Sequence, residues 1–312
     1  MNAFRRSGAA PALAMLAAAV ALNAALQPHF FSRASIEGNM ATFAPTILVC
    51  VAQAVIVLSG ELDLSLGAGV SLINCALASI AANAVGGIGG AAALALLLSL
   101  ALGTANGLLV AYAGLPSLVS TFATGAVWYG LALAIMPQPG GEIDPSLGDL
   151  YGGSLLGMPV PLLLVAVAML GWAALARHRF GRRLLAVGSS PASAYGAGVP
   201  VRRVKLLAYV TAWALVFLSA LAISAQTLSG DAQLGQSYTL TSVAAVVVGG
   251  ISLAGGRGSP WGALAGALVL GFIANVIFFA GIPSIWQEFF KGLVIIAALA
   301  STVVEQRRRS LA

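Results

Sequence analysis

Long apolar segments separated by short polar ones form the dominant pattern of this chain. Runs such as 91–102 are apolar on every side, whereas the strands of a membrane barrel alternate between polar and apolar residues. About 20 apolar residues cross the ~30 Å of hydrocarbon as a helix, which satisfies its own backbone hydrogen bonds in lipid. We therefore predict helices near 10–27, 41–59, 65–84, 88–112, 117–135, 158–176, 206–226, 240–254, 260–280 and 287–304.

Composition favours the same interpretation. Hydrophobic residues make up 60% of the 312 residues and charged residues only 8%, and no charge occurs between Asp63 and Glu142. A water-soluble protein has no interior large enough for that much apolar surface. The fold class predicted for 1–312 is a single all-α integral membrane domain, a polytopic bundle of about ten transmembrane helices.

The basic residues set the predicted orientation. Seven of the fifteen lie in the stretch 177–205, which contains no acidic residue. Lys and Arg near the ends of spans are retained in the cytoplasm, so 177–205 is predicted to be a cytoplasmic loop. An even number of helices then places both termini, with their arginines at 5–6 and 307–309, in the cytoplasm. The loop 136–157, which carries three acidic residues, is predicted to be external.

Two segments leave alternatives open. The span 240–254 is short and runs into glycines at 249, 250, 255, 256 and 258. This pattern near 240–258 indicates either a broken or re-entrant helix beside a transport path, or close helix packing and an ordinary turn. The run 9–26 after Arg5 and Arg6 resembles a signal peptide, but it exceeds the usual 7–15 residue core, and we expect a retained first helix.

Several kinds of chemistry are not expected. Neither Lys205 nor Lys291 follows a glycine, so the chain has no phosphate-binding Gly-Lys-Ser/Thr loop. His29 and His178 lie near helix ends, with no spacing of ligand residues that indicates a metal site. Both cysteines lie in apolar segments, where they act as small hydrophobic residues. We expect no catalytic residue, cofactor, metal or nucleic-acid partner.

Polar residues inside the spans are the remaining candidates for a transport path. A proton-coupled carrier is expected to have deep acidic or histidine relays, and Glu61 and Asp63 lie only at the inner end of the second helix. An ion-gradient-driven carrier of a small polar solute is therefore the alternative function. Hydrogen bonding between helices is the other explanation for the candidate pathway residues, which are Asn74, Asn106, Thr121 and Asn275.

Four ordered motifs resemble the permease subunits of ribose-type ABC sugar importers. They are 60–67 (GELDLSLG), 106–110 (NGLLV) followed by Leu115, Pro116, Ser117 and Thr121, the loop 180–205, and 249–258 (GGISLAGGRG). Lys291 and Gly292 are similar too. The resemblance covers roughly 40–304. Glu61 departs from it by adding a charge where a small residue is more common, and Ile251 stands where Thr is common.

This resemblance implies a set of partners. A second permease subunit completes the path for a sugar or similar small polar solute, a separate cytoplasmic ATPase supplies ATP hydrolysis, and a periplasmic binding protein delivers the solute to the bacterial inner membrane. A short coupling helix is expected near 191–195, while flanking arginines meet the ATPase or lipid headgroups. The residues implied in ATPase coupling are Gly181, Ala186, Gly188, Pro191, Ala192, Ser193, Ala194, Gly196 and Gly198.

Two turns are assigned a structural role. Asp63 is expected to accept backbone N–H bonds at the start of the third helix, with Ser65 capping the same helix end, because short oxygen-bearing side chains satisfy those free donors. The residues assigned to structural turns are Asp63, Ser65, Gly67, Gly255, Gly256 and Gly258.

Overall fold

The structure is a computed structural model that describes residues 9–80 and 86–283, together with residues 286, 289, 292 and 293. The terminal arginine clusters lie outside the described residues, as does nearly all of the predicted span 287–304. Helices predominate in the part of the chain that is described. They are α1 (Ala9–Leu26), α2 (Arg33–Leu58), α3 (Leu66–Ser79), α4 (Gly87–Ala111), α5 (Ser117–Ile135), α6 (Pro145–Gly152), α7 (Val160–Arg177), α8 (Arg179–Ser189), α9 (Pro191–Gly196), α10 (Val201–Thr227), α11 (Gln236–Val248) and α12 (Pro260–Phe279).

Six of these helices are long and apolar enough to cross a membrane, namely α2, α4, α5, α7, α10 and α12. Most predicted ends agree to within a few residues. The prediction for α2 was wrong by about two turns, because the helix begins at Arg33 rather than near 41. Its polar first turns follow Ser32, whose Oγ accepts a hydrogen bond from Ser35 N at 3.2 Å and so caps the helix.

Helix α2 lies at the centre of the bundle, and nearly every residue from Phe43 to its end is buried. It packs against α7, α10, α11 and α12, while α10 also packs along α4, and α3 packs against α5. Small residues make this close packing feasible. A Cβ added to Gly69 or Gly103 would lie 2.5 Å from the side chain of Trp213, so these glycines make room for the buried indole on α10.

The bundle has two distinct ends. We call the end that carries α8 and α9 the basic end, because it holds the arginines of 177–205. The other we call the acidic end, which carries α6 with Asp144 and Asp149, and a hairpin of β1 (Ser154–Leu155) and β2 (Met158–Pro159). The stretch predicted as a loop at 177–205 is thus largely helical. The side of the membrane that each end faces stays a prediction.

Helices α3 and α11, which are apolar but shorter than the six spanning helices, begin beside each other. A Cβ on Gly67 would lie 2.1 Å from the carbonyl oxygen of Gly235, and one on Gly235 would lie 2.0 Å from that of Gly67. Gly67 N donates to Thr239 Oγ1 (3.2 Å) and Gly235 N donates to Ser71 Oγ (2.8 Å). Each helix therefore supplies a hydroxyl that satisfies a free backbone donor of the other.

Non-helical backbone lies beside α3, in the segment that precedes α11. The segment 229–235, before α11, runs along α3, where Asn74 Nδ2 donates to Ser229 O and Asn74 Oδ1 accepts from Asp231 N. In the stretch 240–258, α11 continues as a regular helix to Val248 and is followed by a glycine-rich turn at the basic end. Polar side chains thus satisfy the non-helical backbone beside α3, as an apolar surrounding requires.

Candidate functional site

Helices α8 and α9 form the exposed surface of the basic end. On α8, Leu184 and Val187 are buried, whereas Arg179, Arg182 and Arg183 face outward. Ser190 then begins α9 by accepting a hydrogen bond from Ser193 N at 3.2 Å. A helix is therefore present where a short one was expected near 191–195, held by an N-cap and by a proline at its first position.

The residues implied in ATPase coupling fall into two groups. The first group is exposed on the surface of α8 and α9 and consists of Ala186, Pro191, Ala192, Ser193, Gly196 and Gly198. The second group, Gly181, Gly188 and Ala194, is buried against the chain itself. Tyr195, which was not among the residues implied in coupling, is 77% exposed. It lies at the end of the short helix that was expected near 191–195.

Backbone from three separate parts of the chain meets at what we call the glycine junction, formed by Gly60, Gly188, Gly255 and Gly256. A Cβ on Gly188 would lie 2.0 Å from Leu58 O and 2.6 Å from Gly256 N. A Cβ on Gly255, which has a φ of +86°, would lie 2.6 Å from the Cα of Gly60. The ends of α2 and α8 therefore contact the 249–259 turn with no room for a side chain.

Hydrogen bonds and backbone geometry reinforce the glycine junction. Gly256 N donates to Leu58 O at 3.2 Å, and a Cβ on Gly256 would lie 2.1 Å from Ser189 Oγ. Gly256 has a φ of +68°, which residues with side chains rarely adopt. Gly258, with a φ of +118°, instead packs against Ile251 and shapes the turn itself. These glycines thus allow close packing and a turn, and a re-entrant span at 240–258 stays a prediction.

A buried carboxylate lies just beyond the glycine junction. Asp63 Oδ1 accepts hydrogen bonds from Ser65 N (2.7 Å) and Ser65 Oγ (2.5 Å). Its Oδ2 accepts from Trp213 Nε1 (3.0 Å) and Asn106 Nδ2 (3.2 Å). Burial disfavours the charged form, whereas four converging donors favour it. Through these bonds, which we call the Asp63 network, one side chain connects the turn 59–65 to α4 and α10.

The same turn is held along its length. Leu64 N donates to Thr121 Oγ1 (3.0 Å), Leu62 N donates to Ser117 Oγ (3.3 Å), and Tyr209 OH donates to Leu62 O (3.2 Å). Glu61, the unusual charge of this motif, forms an ion pair with Lys205 at the start of α10. Helices α4, α5 and α10 therefore fix the position at which α3 begins.

The structure corrects one detail of the expected turn. Ser65 occupies the N-cap position of α3, but its side chain makes no capping hydrogen bond. Instead, Ser65 Oγ donates to Asp63 and accepts from Asn106 Nδ2 at 2.7 Å. The free donor at Gly67 N is satisfied by Thr239 on α11. Thr239, on a helix distant in sequence, therefore supplies the N-capping oxygen in place of Ser65.

The candidate pathway residues all form hydrogen bonds within the bundle. Asn74 Nδ2 donates to Ser224 Oγ (2.8 Å) on α10, and Asn275 Nδ2 donates to Asn39 Oδ1 (2.8 Å) on α2. Asn106 and Thr121 belong to the contacts of the 59–65 turn described above. Asn106 Oδ1 and both amide atoms of Gln53 are buried and have no hydrogen-bond partner among the described residues. A role for these residues in a pathway stays a prediction.

The described residues contain no group of three or more His, Cys, Asp or Glu side chains that could hold a metal ion. The distinctive feature of the basic end is instead its close backbone packing. A surface helix pair, α8 and α9, is joined by backbone contacts to the turn at which α3 begins. The end of α8 and the turn that leads into α3 are therefore in close backbone contact.

Comparison with known proteins decides which class of membrane protein carries this arrangement. Residues 35–299 match the family described as branched-chain amino acid transport system / permease component. The chain belongs to this permease family. It is a multi-pass inner-membrane protein, and the resemblance to ABC permeases is confirmed over most of its length. The family supports an ABC permease subunit rather than the alternative of an ion-gradient-driven carrier.

Individual relatives agree. The chain is 32% identical over 285 residues to the ribose import permease protein RbsC of Bacillus subtilis, covering 88% of this chain and 86% of the relative. It is 35% identical over 279 residues to the probable ABC transporter permease protein y4mJ of Sinorhizobium fredii, covering 87% and 83%. The D-allose transport system permease protein AlsC of Escherichia coli is 27% identical over 291 residues, covering 92% and 89%. No solved structure matches the chain.

Proposed function

We propose that this permease forms, with a second permease subunit, the membrane path of an ATP-driven importer for a sugar or a similar small polar solute. The names of its relatives, which include ribose and allose permeases, support the substrate class. ATP hydrolysis takes place on a separate cytoplasmic ATPase, in keeping with the missing phosphate-binding loop. A periplasmic binding protein delivers the solute.

The observation that carries this proposal is the glycine junction. An importer must convert a movement of its ATPase into a movement of membrane helices, and α9 with the exposed face of α8 provides a surface for the ATPase. The end of α8 touches Leu58 O and Gly256 N through backbone alone. Such contacts have no flexible side chain to absorb a displacement, so a push on α8 reaches the end of α2 and the 249–259 turn directly.

The next step leads to the two short helices. The turn 59–65 follows α2 and ends at the N-terminus of α3, and Thr239 and Ser71 connect that N-terminus to α11. Many transporters surround the solute path with short or interrupted helices, and α3 and α11 are short. We propose that α3 and α11 move together and thereby open or close the path when the ATPase changes state.

Three classes of residue follow from this mechanism. Ala186, Pro191, Ala192, Ser193, Gly196 and Gly198 face the ATPase, together with Tyr195. Gly181 and Gly188 position α8, because a Cβ on Gly181 would lie 2.5 Å from Leu175 O at the α7–α8 corner. The arginines of α8 supply attraction for acidic groups, and their individual contributions are small.

The test is the substitution Ala192→Trp. Ala192 is exposed, so the large side chain leaves the fold intact and instead blocks close approach of the ATPase. Ala194 is unsuitable because it is buried against the chain itself. We expect the variant to insert at normal yield, to lose the ATPase during purification, and to lose solute-stimulated ATP hydrolysis.

The matched control is Ala113→Trp, which places the same bulk at an exposed position in the turn between α4 and α5. It is expected to retain both the ATPase and the stimulated hydrolysis. Retention of the ATPase at wild-type stoichiometry by Ala192→Trp, with normal transport, would show that the contact lies elsewhere.

A further inference from the structure

The hairpin at the acidic end has an unusual tip. Strands β1 and β2 pair Leu155 with Met158, which leaves Leu156 and Gly157 as the two turn residues. Both have positive φ, +55° and +76° respectively. Such turns favour Asn-Gly or Asp-Gly, and a leucine at positive φ is strained. Leu156 is also 89% exposed.

Leu156 is not alone in its exposure. The neighbouring Leu155 is 61% exposed, and Leu150 and Met158 are exposed as well. A turn that carries strain to present an apolar side chain indicates that the side chain has a function outside the fold. Two hydrogen bonds hold the residues that flank the hairpin. Tyr151 OH donates to Ala41 O at 2.7 Å, and Val160 N donates to Gly153 O at 3.1 Å.

Helix length places this tip relative to the membrane. Helix α7 begins at Val160, directly after the hairpin, and ends at Arg177, beside the other arginines of the basic end. Its 18 residues span about 27 Å, close to the ~30 Å of hydrocarbon in a bilayer. When Arg177 lies at one membrane surface, Val160 lies at the other, and the hairpin falls in the headgroup layer.

The composition and position of the hairpin indicate that its apolar tip contacts lipid. No charged residue occurs between Asp149 and Arg177, so the hairpin is as uncharged as the spanning helix that follows it. Helix α7 is among the least buried of the spanning helices, with Val167 and Leu170 exposed. The hairpin therefore lies at the periphery of the part of the bundle that the structure describes.

We propose that the hairpin 154–159 is an interfacial anchor that buries Leu155, Leu156 and Met158 at the boundary between headgroups and acyl chains. Interfacial segments bind in this way by placing apolar side chains a few ångströms into the bilayer. The anchor fixes the depth of α7, whose other end leads into α8. This proposal is independent of the solute and of the ATPase.

Site-directed spin labelling of the full chain in lipid nanodiscs tests it. Cys50 and Cys75, both buried, are first replaced by alanine. A cysteine at Leu156 then carries the label, with Val167→Cys as the lipid reference and Asp149→Cys as the water reference. We expect the ratio of collisions with oxygen to collisions with a water-soluble nickel chelate at Leu156 to lie closer to the Val167 value than to the Asp149 value.

Either of two results would overturn the anchor. A nickel accessibility equal to that of the Asp149 label would place the tip in water. Low accessibility to both reagents would place it against protein, either a second copy or a binding protein.

As a further variant, Leu156→Asn suits the positive φ and removes the apolar side chain, so the protein still folds. With the label at Leu155, Leu156→Asn should shift the ratio toward the water reference, and an unchanged ratio would count against the anchor.

Discussion

The glycine junction and the Asp63 network hold opposite ends of the same short turn by different means. At the junction, a Cβ on Gly188 would lie 2.0 Å from Leu58 O, and one on Gly255 would lie 2.6 Å from the Cα of Gly60. Three residues later, Asp63 is held by four hydrogen bonds from side chains and backbone. The first contact depends on volume and the second on polarity, so different substitutions should break each.

The two contacts also differ in what they contribute to the structure. Close backbone packing transmits displacement but offers little adjustment, because overlapping atoms cannot be accommodated. A buried hydrogen-bond network fixes direction and register, and it fails when one donor or acceptor is lost. Between them, the two contacts connect the surface of α8 to the N-terminus of α3.

The largest expected effect comes from adding one methyl group at the glycine junction. In Gly188→Ala, the new Cβ would lie 2.0 Å from Leu58 O and force α8 away from α2. Overpacking of this kind typically costs about 1–3 kcal/mol, occasionally more. We expect a clear fall in Tm and in folded yield, measured by thermal unfolding in detergent and by size-exclusion chromatography.

The control for this substitution is Gly196→Ala on α9, where an added Cβ meets no atom of the described residues within 4 Å. Its Tm should remain close to wild type. Equal stability of Gly188→Ala and Gly196→Ala would mean that the junction is loosely packed and does not transmit displacement.

An effect of similar size is expected from Asp63→Asn, which keeps the shape of the side chain. One oxygen becomes an NH₂ group that faces existing donors, and bonds to a charged acceptor are each worth about 1.5–3 kcal/mol. We expect a lower folded yield and weaker coupling of ATP hydrolysis to solute, with unchanged solute preference. Asp149→Asn, an exposed counterpart on α6, should behave as wild type.

Solute competition assays on the purified transporter measure this distinction. A variant that folds at normal yield but prefers a different solute would place Asp63 in contact with the solute, contrary to its structural assignment.

The smallest effect is expected from Arg202→Gln at the exposed start of α10. Exposed ion pairs are worth roughly 0–1 kcal/mol and are screened by salt. We expect a modest loss of ATPase affinity that disappears at high salt, measured by titrating the ATPase at two ionic strengths. If Arg202→Gln lowered the ATPase affinity as much as Ala192→Trp does, docking would depend mainly on charge rather than on shape.

The helices were predictable because lipid imposes its own requirement on sequence. Long apolar runs must be helical there, and Ser190 with Pro191 marks the start of α9 within the chain itself. The beginning of α2 was missed because its polar first turns carry no apolar signal, although Ser32 is an ordinary N-cap residue.

The contacts of the site were less accessible from sequence. Glycines at 60, 188 and 255 lie far apart along the chain, and nothing local indicates that their backbones touch. The capping of Gly67 by Thr239 likewise depends on two helices meeting in space. Asp63 was assigned to the turn from its position, but its partners Trp213 and Asn106 lie on distant helices.

The central claim is that α9 lies in the cytoplasm and binds the ATPase, and labelling of Ala192→Cys tests it most directly. In a background in which Cys50 and Cys75 are replaced by alanine, a membrane-impermeant thiol reagent should fail to label intact cells. It should label inverted membrane vesicles that lack the ATPase, and the bound ATPase should protect the cysteine. Labelling from outside intact cells would reverse the orientation, and full labelling in the presence of bound ATPase would remove α9 from the interface.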